Sequence, residues 1–304
     1  MITRRTFMSR AAVGAAGLLI PSTMWANASL TIGDITIDTL SDGHLTLPQS
    51  ATFGDATAED LAPILQQYGI AADAPLMPDC NVTLVRDGER TILFDVGAGP
   101  DFMATAGKLS VALDAIGVSP DDITHIVFTH AHPDHLWGVL DDFDEPFFPN
   151  ATYMIGKTEW DYWIAPETVD NIGAERTTFA VGAKRRLEAL EDNITFLEDG
   201  EEILPNIAAR GTFGHTPGHM AFQVGAGTES VMILGDCIGN HHVAFARPDL
   251  ASGSDQDADM GIATRTMLLD QLASEQMHLI GFHLPYPGIG RAERKDSQFV
   301  FVAG

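Results

Sequence analysis

Residues 126–138, Ile-Val-Phe-Thr-His-Ala-His-Pro-Asp-His-Leu-Trp-Gly, constrain this chain more than any other stretch. A β-branched and aromatic run, which favours a strand, leads into a loop. That loop carries His130, His132, Asp134 and His135 within six positions. Imidazoles and carboxylates one to five residues apart on a turn can converge on two neighbouring cations. Such a loop needs a rigid strand behind it, and it needs the rest of the chain to supply further ligands.

Three later segments have the same character. They are Thr212-Phe213-Gly214-His215-Thr216-Pro217-Gly218-His219, Ile233-Leu234-Gly235-Asp236 and Gly281-Phe282-His283-Leu284-Pro285. In each, a His or Asp follows an apolar strand that can fix its position. Taking His130, His132, Asp134, His135, His219, Asp236 and His283 together gives too many groups for one tetrahedral ion. The set suits two ions that share a carboxylate. His215 reads as support for the turn that presents His219. His44, His125 and His278 lack a ligand-like context, and His241 and His242 read as loop residues or as supports of Asp236.

The remaining pattern is of strand clusters separated by single helices, in two similar halves. Residues 30–47 alternate apolar and polar, with a turn expected at Asp42-Gly43. Strands at 81–85 and 91–96 flank Arg86-Asp87-Gly88-Glu89, a hairpin signal. Further strands are expected at 123–129, 153–155, 194–197, 207–210, 221–224, 230–234, 279–282 and 298–302. Helices are expected at 59–68, 109–116, 158–164, 178–190 and 258–277. This order predicts two sheets packed face to face with helices outside, and no Pro-, Gly- or Ser-rich linker divides residues 29–304, so one domain is expected.

The formal net charge of -25 repels phosphate backbones and anionic headgroups, which counts against nucleic-acid or membrane partners. The apolar run 11–20 is too short to span a bilayer. Residues 1–28 carry Arg4, Arg5 and Arg10, no acidic residue, that apolar run, and then Ala26-Asn27-Ala28. This is the order of an export signal with an A-x-A cleavage site, and Thr3-Arg4-Arg5-Thr6-Phe7-Met8 resembles the twin-arginine type. The expected location is periplasmic or secreted. Cleavage after Ala28 would take the formal charge from -25 to -28. Cys80 and Cys237, the only cysteines, are too few for a disulfide framework, and whether they form a bridge is open.

Over residues 29–304 these segments, in this order, resemble the metallo-β-lactamase fold superfamily of hydrolases. The resemblance implies an α/β fold, an αββα sandwich of two mixed sheets with helices on the outer faces. It implies two divalent ions, zinc first, with Mn, Fe or Co as alternatives. His130, His132 and His219 would hold one ion, Asp134, His135 and His283 the other, and Asp236 would bridge. Asp134 and Asp236 are then the carboxylates at the catalytic centre. Asp95, in Asp95-Val96-Gly97, would orient a ligand histidine through its ring N–H. Leu40-Ser41-Asp42-Gly43 and residues 283–290, His-Leu-Pro-Tyr-Pro-Gly-Ile-Gly, further resemble the methyl parathion hydrolase and lactonase branch. There Phe102, Trp163 and Phe179 would line the pocket, and Cys80 stands where that branch has a polar residue.

The activity implied by this resemblance is hydrolysis. A hydroxide shared by two cations would attack a carbonyl or phosphoryl centre. An aromatic pocket suits a small neutral or apolar substrate: a lactone or ester, with phosphotriesters as a side activity. A β-lactamase or thioester hydrolase of the same fold, and a non-catalytic periplasmic metal- or ligand-binding protein, are the alternatives. A homodimer is compatible with all of these.

Overall fold

The computed structural model describes residues 28–226 and 229–304. The expected export signal lies outside the described residues, except for Ala28. That residue opens β1 (Ala28–Ile32).

Fourteen strands among the described residues form two mixed sheets of seven. The first runs in chain order: β1, β2 (Ile35–His44), β3 (Asp79–Arg86), β4 (Thr91–Phe94), β5 (His125–Val127), β6 (Thr152–Gly156) and β7 (Ile194–Leu197). Its early pairs are antiparallel, and β4 through β7 are parallel. The second sheet runs in reverse order from β14 (Gln298–Ala303) through β13 (Ile289–Lys295), β12 (His278–Ile280), β11 (Glu229–Ile233), β10 (Met220–Ala226) and β9 (Ile207–Gly211) to β8 (Glu202–Leu204). Only β11 and β12 pair in parallel there. Successive side chains of a strand point to opposite faces, and that alternation builds three layers. Ile92, Phe94, Val127, Val231 and Ile233 point between the sheets, where the Phe94 and Phe222 rings meet at 5.2 Å. Leu93 and Ile126 face outward beneath the helices of the first half, and Met232 does so in the second. Because both faces are buried, the central strands read as near-continuous apolar runs.

The helices are α1 (Gln49–Phe53), α2 (Ala58–Gln67), α3 (Leu109–Ala115), α4 (Pro133–Leu136), α5 (Lys157–Ile164), α6 (Pro166–Asn171), α7 (Thr177–Leu190), α8 (Val243–Ala246) and α9 (Ala258–Glu275). The long α9 starts where the Asp257 side chain accepts the Met260 N–H, and it stops at Gln276 in the left-handed conformation. No helix of the described residues is long and apolar enough to cross a membrane.

The short helices α1, α4, α6 and α8 are additional to those expected, and two further features differ from the pattern. Asp42-Gly43 is not a turn between strands: it lies at a register shift near the end of β2, and the chain reverses at Gly33-Asp34. Asp42 is buried, and its carboxylate accepts the N–H groups of Ala98, Gly107 and Leu109, clasping β2 to the loop that follows β4. Strands β8 and β13 add to the expected set. The Ile-Gly-Arg-Ala-Glu-Arg-Lys of β13 lacks alternation because most of its outer residues face solvent.

A smaller apolar cluster under α1, α2 and α8 holds His242. Its Nδ1 accepts the Val243 N–H at 2.9 Å, and its ring meets Phe53 and Tyr68 edge-on. Burial, reinforced by neighbouring His241, depresses it from 6.5 to about 3. A folded value below the unfolded one means the stability contribution is complete above pH 6.5 and is lost as the pH falls toward 3. We expect acid to cost a few kcal/mol here, at most about 5. Urea denaturation midpoints between pH 7 and pH 4 should show this limb in the wild type and a flatter one in His242→Gln; identical profiles would refute it.

Candidate metal centre

The loops after β4, β5, β11 and β12 leave the C-terminal ends of strands in parallel pairs, so they gather along one edge of the sandwich. His130, His132, Asp134 and His135 lie on the loop and first turn after β5, all buried. Pro133 opens α4, where a missing N–H costs nothing. The short helix carries Asp134 and His135, and the His135 ring lies 4.1 Å from that of His130.

Two groups of ligand-type atoms result, each within 4.8 Å: His130, His132, His215 and Asp236; and His135, Asp236 and His283. A third group, Cys80, Asp134 and His283, overlaps the second. Asp236 is common to the first two. Its Oδ2 lies 3.3 Å from His215 Nε2 and 3.3 Å from His283 Nε2, and its Oδ1 lies 3.2 Å from His135 Nε2.

The outer ring nitrogens are tied back. His135 Nδ1 is 2.8 Å from Asp95 Oδ2, and Asp95 also accepts the N–H and hydroxyl of Thr129. Asp95 itself holds φ at 64°, a left-handed position that a non-glycine residue occupies at a cost. His283 Nδ1 is 2.8 Å from the Asp79 carbonyl oxygen, and His215 Nδ1 is 3.4 Å from Asp255, which is paired with buried Arg265. With Nδ1–H donating outward, each Nε2 is turned inward, where His215 Nε2 meets His132 Nδ1 at 2.9 Å. His135 Nε2 and Asp236 Oδ1 face one another at 3.2 Å, a pair that only a proton or a cation between them can join.

Buried atoms without a hydrogen-bond partner mark the same place: His130 Nε2, Asp134 Oδ2, His135 Nε2 and Asp236 Oδ1. Burying so many unpaired polar atoms costs free energy unless a cation compensates. The titration behaviour agrees. Burial opposes a charge on His135, yet Asp236, Asp134 and Asp95 together push it up to about 10. Burial would likewise raise Asp236, but His283 and His135 hold it well below the usual carboxylate range. His130 and His132 are held neutral by burial and by their neighbouring imidazoles. The donor set fits divalent ions, and a buried His/Asp divalent-metal centre is what this edge of the fold provides.

The structure corrects two expectations. His219 does not face the cluster: His215 does. Both His219 ring nitrogens are engaged, Nδ1 with the Thr212 hydroxyl at 2.8 Å and Nε2 as acceptor of the Asp236 N–H at 3.0 Å. A lone pair that accepts a hydrogen bond is not free to bind a metal. His219 thus positions Asp236, and the roles expected for the two histidines are exchanged. Gly235 lets His219 approach, since a Cβ there would stand 2.6 Å from its Nε2. Trp163 is not a pocket wall either. It is fully buried, stands edge-on 5.8 Å from His132, and donates its indole N–H to Glu159. Phe102 and Phe179 are half-buried and touch one another, with Phe179 5.8 Å from His132. A cleft of about 450 Å³ lies behind the His215 turn, with Tyr162, Ile172, Arg176, Gln256 and Met260 in its walls.

Glu159 carries no signal in the sequence, yet it is central here. Buried on α5, it accepts the Ala131 N–H, the Trp163 indole, the Thr216 hydroxyl and the Gly218 N–H. It stitches the loop of His130 and His132 to the loop of His215. Gly218 fits only because it lacks a Cβ, which would stand 2.1 Å from the Glu159 nitrogen. Glu159→Ala would strand four buried donors, and we expect about 3–4 kcal/mol of destabilisation in chemical denaturation. A loss below about 1 kcal/mol would mean the loops are held by other contacts.

The chain resembles known proteins along its length. In sequence, residues 78–274, more than half the chain, match the Metallo-beta-lactamase superfamily model. A 119-residue stretch is 28% identical to the N-acyl homoserine lactonase AttM of Agrobacterium fabrum (strain C58), covering 37% of this chain and 40% of that relative. A 114-residue stretch is 30% identical to AttM of Rhizobium radiobacter, again spanning 40% of its length. In structure, AidC, a dizinc quorum-quenching lactonase in complex with a product N-hexanoyl-L-homoserine, superposes with TM-score 0.85 at 28% identity, over 91% of this chain and 97% of that one. The hydrolase AbOPH of the beta lactamase superfamily superposes with TM-score 0.84 at 26% identity, over 91% and 97%. With seven-stranded sheets packed face to face and a buried His/Asp centre at their edge, the chain belongs to the metallo-beta-lactamase superfamily.

Proposed function

We propose that this chain is a dinuclear metal-dependent hydrolase that opens lactones, with phosphotriesters as weaker substrates. The observation that carries the reading is Asp236, whose two carboxylate oxygens serve both groups of ligand atoms. On this reading His130, His132 and His215 hold one ion, Asp134, His135 and His283 hold the other, and Asp236 lies between. When bound, such a pair supplies Lewis acidity and an acidified water.

The protein's part is orientation and exclusion. Asp95 fixes the His135 ring, Asp255 the His215 ring, the Asp79 carbonyl the His283 ring, and His219 the Asp236 backbone. Burial keeps bulk water from competing with these contacts. The exposed edges of Phe102 and Phe179 beside His132 offer an apolar wall, which favours a neutral substrate with a hydrocarbon portion. Two lactonase relatives of similar sequence and structure support the lactone as substrate class.

The test is a hydrolysis panel of N-acyl homoserine lactones, aryl esters, phosphotriesters, thioesters and β-lactams with zinc-loaded protein. Each lactone opened adds one water and releases one proton at neutral pH, which a weakly buffered indicator reads directly. The highest kcat/KM should fall on a lactone; no turnover of lactones or esters would overturn the reading. Export by the twin-arginine route belongs to the same proposal, because that route carries proteins already folded and loaded with metal. The N-terminal sequence of the protein from a periplasmic fraction should begin after Ala28, and an uncleaved chain in the cytosol would count against it.

A further inference from the structure

Cys80 lies near the start of β3 and has no solvent exposure. Residues on either side of it clamp the His283 loop. The Asp79 carbonyl oxygen lies 2.8 Å from His283 Nδ1, and Asn81 Nδ2 donates to the Gly281 and Leu284 carbonyls. Cys80 sits between these two clamps, with its Sγ within 4.8 Å of both an Asp134 carboxylate oxygen and a His283 ring nitrogen.

We infer that Cys80 Sγ is an additional protein ligand of the second ion, beside Asp134, His135, Asp236 and His283. This inference rests on the two-ion reading of the proposed function. Its support is independent of the cysteine itself. Asp134 Oδ2 and His135 Nε2, both deeply buried, are left without a hydrogen-bond partner, and His283 Nε2 is turned into the same space, 3.1 Å from Asp134 Oδ2. A thiol packed only for its volume would be expected among apolar side chains; this one also borders a carboxylate and an imidazole. The other cysteine is committed elsewhere, with Cys237 Sγ donating to the Leu234 carbonyl at 3.1 Å. On binding, the S–H bond breaks, its electron pair forms the metal–sulfur bond, and the proton leaves to solvent. A soft thiolate added to imidazole and carboxylate shifts the second site toward zinc and cobalt and away from manganese.

Cobalt(II) reads this directly, because a thiolate ligand adds a near-ultraviolet sulfur-to-metal charge-transfer band to the visible ligand-field bands. Metal-free protein reconstituted with cobalt(II) should show both, as should Cys237→Ser. Cys80→Ser and Cys80→Ala should keep the ligand-field bands, lose the charge-transfer band, and bind zinc at the second site about tenfold more weakly or worse in a chelator competition. Ligand-field bands without charge transfer in the wild type would overturn the Cys80 assignment and leave the two-ion reading standing, whether or not the variants fold. A charge-transfer band that survives in Cys80→Ser would overturn it too. Absence of ligand-field bands altogether would overturn the two-ion reading, and this assignment with it.

Discussion

Replacing Asp236 with alanine is expected to lower kcat/KM by about a thousandfold or more and, on the two-ion reading, to take the metal content from two ions per chain to one or none. The reason is geometric. Asp236 is the member shared by the His130–His132–His215 group and the His135–His283 group, with oxygen-to-nitrogen distances of 3.2 and 3.3 Å to both sides. Removing it takes a negative charge from between two sets of imidazoles, so on the two-ion reading neither ion keeps its full set of ligands. A thousandfold loss corresponds to about 4 kcal/mol of transition-state stabilisation, the scale of removing one preorganised electrostatic group. Elemental analysis beside steady-state kinetics checks both parts. A variant that keeps two ions and ordinary turnover would place the catalytic centre elsewhere.

Stripping divalent ions with a chelator is expected to lower the thermal midpoint by roughly 8–16 °C and to abolish hydrolysis. A ligand held at about a thousand times its Kd stabilises the native state by about 4 kcal/mol. For a chain near this size each kcal/mol moves Tm by roughly 2–4 °C. The structural reason is the set of buried atoms that no hydrogen bond satisfies, from His130 Nε2 to Asp236 Oδ1. Without cations these lone pairs face one another, and protons taken up by His135 and His283 compensate only in part. Scanning calorimetry of the native, stripped and zinc-restored protein tests this. An unchanged midpoint with full activity after chelation would refute a metal-dependent centre.

How legible the centre is in the sequence varies by residue, and for physical reasons. His130, His132, Asp134 and His135 are readable because a single turn sets their relative positions over six residues. Asp236 and His283 are readable because each follows directly on an apolar strand. Asp95 shows only through its place at a strand end. His215 and His219 cannot be told apart by spacing: both follow a glycine in Gly214-His215-Thr216-Pro217-Gly218-His219. The choice is made by partners outside the dipeptide pattern, with nearby Thr212 and the more distant Asp236 backbone occupying His219 while Asp255 holds His215 inward. Glu159 has no motif to announce it, because its four donors come from three separate parts of the chain. Trp163 shows how an aromatic at the right place can be wholly internal.

The sequence by itself determined the layered αββα class and the chemistry of the loop at 130–135. Strand alternation and ligand identity are local properties, written within a few residues. Only the tertiary structure decided which histidine completes the first group, that Glu159 ties the two histidine loops together, and that a cysteine from β3 lies beside Asp134 and His283. Those are distances between segments tens to hundreds of residues apart, and two sheets packed face to face, not any spacing along the chain, set them.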